Sequence, residues 1–83
     1  MARTSEKRNP IAIAFGAVLR AARADAGLSQ EALSFACDID RTYVSLLERG
    51  IRQPTLGTVF ALSEQLGTTA ESMVAKTRKE LRR

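Results

Sequence analysis

Eighty-three residues suit one domain, and 45% hydrophobic with 27% charged content suits a folded globular chain rather than wholesale disorder. The absence of histidine and the single cysteine exclude His-based acid–base catalysis, a Cys/His zinc site and an intramolecular disulfide framework. The net charge of +4 resides wholly in the last eight residues, KTRKELRR, because residues 1–75 carry eight Lys/Arg and eight Asp/Glu. A basic chain invites an anionic partner, but here only the arrangement of residues can decide it.

No apolar run reaches the roughly 18 residues that a bilayer span needs, so no membrane is expected. The stretch IAIAFGAVLRAA is the nearest thing to a signal segment, but it runs into Arg20 and Arg23 and reads as core. A lone thiol, Cys37, fits a reducing cytoplasm.

In chain order, residues 1–9 (MARTSEKRN) are polar and aperiodic and read as a flexible arm. Pro10 can open a helix, because its missing N–H has no helical partner there. Phe15, Val18, Leu19, Ala22 and Ala26 then recur at helical spacing as far as Gly27, predicting helix 1 over about residues 11–26. Ser29 has the chemistry of an N-cap for helix 2, about 29–37, with Leu33, Ala36 and Cys37 as its apolar stripe and Glu31 in its first turn. After a tight connection at Asp38 and Ile39, Asp40 caps helix 3, about 41–49, whose inward stripe is Val44 and Leu47 and whose stop is Gly50.

Residues Ile51–Pro54 read as a loop. Thr55 caps helix 4, with core positions Leu56, Val59, Leu62 and Leu66, and Gly67 ends it. Thr68 or Thr69 caps helix 5, which carries Met73, Val74, Thr77 and Leu81 along one side. No segment alternates with period two, so the fold class is all-α with five helices. The domain core spans residues 10–75, and residues 76–83 form the basic end of helix 5 or a tail. Gly16 and Gly57 lie inside helices at a cost of about 1 kcal/mol each against alanine, which marks either a close backbone approach or a tolerated blemish.

Helices 2 and 3, joined by a short turn, make a helix-turn-helix. The block from Leu28-Ser29-Gln30-Glu31 through Tyr43-Val44-Ser45, Leu47-Glu48-Arg49-Gly50, Pro54-Thr55-Leu56 and Leu66-Gly67 resembles the Cro/repressor-type (XRE) helix-turn-helix family. Within that family, the run Asp40-Arg41-Thr42-Tyr43-Val44-Ser45 looks most like the controller proteins of restriction–modification systems. Two departures stand out: Asp38 replaces the usual turn glycine, and Thr68 replaces an apolar residue.

The resemblance implies a compact Cro/repressor-like domain that regulates transcription by binding double-stranded DNA, with helix 3 in the major groove. It assigns base reading to Arg41, Thr42 and Leu46, and phosphate contact to Gln30, Tyr43, Ser45, Arg49 and Arg52. It also pairs Arg23 with Glu48 as a structural ion pair. Each residue has a plainer reading as well. Arg41, Arg49 and Arg52 are equally ordinary surface charges, Tyr43 packs on the domain, and Leu46 joins the core if the helix is rotated.

One recognition helix spans too few base pairs for a genome, so a homodimer on a palindromic operator is expected. Its seam is placed on Met73, Val74, Thr77 and Leu81, unless those residues merely close the core. The competing reading is an antitoxin-like helical module that masks another protein. An enzyme is not expected, since no paired carboxylates share a face and no glycine-rich loop cradles a phosphate. No cofactor or metal is expected.

Overall fold

The computed structural model describes residues 9–83, so the expected N-terminal arm lies outside the described residues but for Asn9. Five helices follow one another: α1 (Pro10–Asp25), α2 (Gln30–Cys37), α3 (Arg41–Glu48), α4 (Leu56–Gln65) and α5 (Ala70–Leu81). There is no strand among the described residues. Every helix starts on a side-chain oxygen that takes up an otherwise orphaned N–H. Asn9, Ser29, Asp40, Thr55 and Thr69 fill this role in turn. Such a cap contributes about 1 kcal/mol relative to alanine.

Every helix contributes to the core, and Leu19, Leu33, Val44, Leu47, Leu62 and Met73 are its largest fully buried side chains. Helix α1 packs along α5 and crosses α3, while α2 contacts α3 and α4. The crossing of α1 over α3 is close enough to require glycine. A Cβ on Gly16 would stand 2.6 Å from the carbonyl oxygens of both Leu47 and Glu48. Gly57 has no such neighbour, its nearest being the Thr55 hydroxyl at 3.8 Å, so it is a tolerated glycine.

Several faces differ from the sequence reading. Leu56 is 69% exposed and is not a core residue; Val59 and Leu62 carry that side of α4. In α2, Ser34 is buried and Ala36 is exposed, the Ser34 hydroxyl being satisfied by the Glu31 carbonyl at 2.8 Å. On α5, Met73 is 1% exposed and Thr77 7%, with the Thr77 hydroxyl donating to the Met73 carbonyl at 2.8 Å. Neither can reach a second subunit from that position. The reason is that α5 turns this stripe onto α1 and α4, leaving Val74 and Leu81 outside. Cys37 is half-buried with its sulfur 3.7 Å from the Ala61 carbonyl, and burial pushes its thiol pKa up, away from reactivity.

The turn between α2 and α3 hinges on Asp38, which adopts φ 58° and ψ 44°. Its N–H bonds the Phe35 carbonyl, and the next N–H, of Ile39, bonds Ser34 at 2.9 Å. A Cβ is costly in this left-handed region, although aspartate tolerates it better than most residues. Asp38→Gly is therefore expected to stabilise the domain by about 0.5–1 kcal/mol. Thermal unfolding checks this: an unchanged or lowered midpoint would show that the aspartate side chain compensates for its backbone.

Candidate nucleic-acid interface

Helix α3 has two unlike sides. Val44, Leu47 and Glu48 are buried and fix it to the body, whereas Arg41, Thr42 and Arg49 are exposed. Ser45, Leu46 and Tyr43 lie between, each half-buried, and Tyr43 packs against the core cluster. Helical spacing puts Arg41, Ser45 and Arg49 on one line, with Thr42 and Leu46 on the adjoining line. The Asp40 carboxylate accepts the Thr42 N–H at 3.3 Å, which fixes where the helix begins and hence where Arg41 and Thr42 project.

Beyond α3 the chain folds back on its end. The Leu46 carbonyl accepts the N–H groups of Ile51 at 3.0 Å and Arg52 at 3.4 Å, so exposed Arg52 is carried beside the C-terminal end of α3. Gly50 makes this turn at φ 74°, a left-handed value that favours glycine, and a Cβ there would also meet the Ile13 Cα at 2.8 Å.

Three helices meet on one carboxylate. The Glu48 side chain is wholly buried and accepts Arg23 Nε on Oε2 at 2.5 Å and Arg23 Nη2 on Oε1 at 3.0 Å. Arg23 Nη1 donates to the Leu28 carbonyl at 2.9 Å, tying the α1–α2 connection to the same knot. Gln30 Nε2 donates to Glu48 Oε1 at 3.0 Å, and Arg20 Nε stands 3.5 Å from that same oxygen. Burial alone would push the Glu48 carboxyl up. The hydrogen bonds from Arg23 and Gln30, with the charges of Arg23 and Arg20, outweigh it and hold the carboxyl below the ordinary glutamate value. Arg23 is correspondingly raised by its bond to Glu48, against its own desolvation.

Gln30 is thus half-buried and partly committed inside the protein, with its second amide N–H left over. The sequence reading passed over Arg20, although its position three residues before Arg23 puts both on one face of α1. It also passed over the exposed aromatics Phe35 (87%) and Phe60 (54%). An alternating or single-face pattern would have exposed the latter two, but α2 and α4 are apolar on more than one side. No group of His, Cys, Asp and Glu among the described residues is placed to hold a metal. No described helix is long and apolar enough to cross a membrane.

Two short helices joined by a tight turn, the second pinned on one side and open on the other, define a helix-turn-helix protein. The helix-turn-helix family matches residues 19–72, and the chain belongs to that family. The Control protein C.BamHI of Bacillus amyloliquefaciens is 37% identical over 67 residues, covering 80% of this chain and 83% of that protein. The restriction-modification controller protein C.AhdI of Aeromonas hydrophila has a similar structure, with a TM-score of 0.72 at 37% identity over 75% of this chain and 94% of that one. The controller protein C.Esp1396I, solved as a tetramer in complex with its natural 35 base-pair operator, gives a TM-score of 0.78 at 25% identity over 88% of this chain and 96% of that one.

Proposed function

We propose that this chain is a sequence-specific transcriptional regulator that lays α3 along the major groove of double-stranded DNA as a homodimer on a palindromic operator. The observation that carries the reading is the asymmetry of α3, buried through Val44, Leu47 and Glu48 and open through Arg41 and Thr42 at its N-terminal end. That end is where a groove-bound helix meets base edges. Arg41 offers guanine O6 and N7 a bidentate fork, Thr42 a hydroxyl or methyl, and Leu46 an apolar contact for a thymine methyl.

Gln30, Tyr43, Ser45, Arg49 and Arg52 contact phosphates and set register without reading sequence. The likeness to C.Esp1396I, whose structure contains its operator, supports the DNA partner. The likeness to two control proteins at 37% identity supports a narrower role as controller of a restriction–modification system. Of the expected seam residues, Val74 and Leu81 are exposed on α5, and α4 separately exposes Leu56 and Phe60, one turn apart.

Selection from random duplex DNA should recover a palindrome with half-sites about 34–36 Å apart. Against that duplex, Arg41→Ala is expected to lose about 1–3 kcal/mol of discrimination at one base pair, roughly five- to 150-fold. Arg52→Ala should weaken all sequences alike. Undiminished sequence preference in Arg41→Ala would remove Arg41 from the reading residues.

A further inference from the structure

The Glu48 knot includes one cation whose terminal nitrogens are not engaged. All three Arg23 nitrogens have a partner, Glu48 or the Leu28 carbonyl. Arg20 is different. Its side chain is 61% exposed, it meets Glu48 only through Nε at 3.5 Å, and among the described residues its terminal amino groups have no partner. That same Glu48 oxygen accepts Gln30 Nε2 at 3.0 Å. Arg20 and Gln30 therefore converge from α1 and α2 on one point, close enough for a single phosphate to accept from both.

The charge balance points the same way. Glu48 and Arg23 cancel, and a phosphate approaching Gln30 would otherwise meet a pair with no net charge. Arg20 turns the cluster net positive where Gln30 has its spare N–H. We propose that Arg20 is a phosphate-binding residue, closing with Gln30 on one DNA phosphate while Glu48 aligns both side chains. This rests on the DNA-binding reading above and adds to it a contact from α1, outside the helix-turn-helix itself.

The test is binding to a selected operator duplex and to a random-sequence duplex of equal length, each titrated with salt. Arg20→Ala should lower affinity about five- to twentyfold on both, with unchanged base preference, and reduce the salt exponent by about one. Arg20→Lys should restore the exponent, since the charge returns. Unchanged affinity and exponent in Arg20→Ala would overturn the proposal. So would a loss that Arg20→Lys fails to recover, or one accompanied by altered base preference, because either means that Arg20 seats α3 instead. If the wild-type chain shows no salt-dependent affinity for either duplex, the DNA reading itself fails, which is a separate result.

Discussion

Glu48→Gln is expected to remove a large fraction of the domain's stability at neutral pH. Taking one partner from a buried ion pair costs about 3–5 kcal/mol, and the lower end applies here because the Arg23 side chain retains 18% exposure. Against a typical total of about 5–15 kcal/mol, that is a large fraction. The variant leaves Arg23 facing a neutral amide and sets the Gln30 amide against another amide. The pH dependence distinguishes this cause from simple misfit. The folded carboxyl is held below the ordinary value of 4.5, so its contribution is complete above that value and disappears as pH falls through the folded one. Denaturant unfolding at pH 7 and in acid should therefore show the gap between wild type and variant closing as the wild-type carboxyl takes up its proton. A gap of the same size at both would assign the loss to shape, not charge.

That knot also marks the boundary of what the residues alone disclose. Helix starts and stops were legible because they are local chemistry: Ser29, Asp40 and Thr55 each accept a first-turn N–H, and Gly50 carries the positive φ that ends α3. The buried stripe of α3 was legible too, since its apolar residues fall on a single side. Arg23 and Glu48 are 25 residues apart, and nothing in their spacing joins them; only the likeness to known proteins suggested the pair. The third and fourth members, Gln30 and Arg20, needed the packed helices to appear. Faces were misread where a helix is apolar on two sides. Leu56 and Val59 look alike in sequence, and whether α4 rolls one or the other inward is set by α2 and α5. The same ambiguity put Met73 and Thr77 on an outer seam, when α5 lies along α1 with that stripe inward.

Gly16→Ala and Gly57→Ala are expected to move stability in opposite directions, although each replaces a helical glycine by the best helix former. Alanine brings about 1 kcal/mol of helix propensity at an interior position, less near a helix start. At Gly57 that gain meets no opposition, with only the Thr55 hydroxyl at 3.8 Å, and a rise of about 0.5–1 kcal/mol should follow. At Gly16 the new methyl would sit 2.6 Å from two backbone oxygens, which cannot rotate away as a flexible side chain would. Helix α1 must back off from α3, an overpacking cost of about 3 kcal/mol that exceeds the propensity gain. The displaced carbonyls belong to Leu47 and Glu48, so the movement also slackens the Arg23 and Gln30 bonds and tilts the helix that presents Arg41 and Thr42. DNA affinity measured well below the unfolding midpoint should therefore fall in Gly16→Ala and stay at wild type in Gly57→Ala. Equal midpoints for the two variants would mean that α1 and α3 pack more loosely than this close approach requires, and the orientation of α3 would then need another anchor.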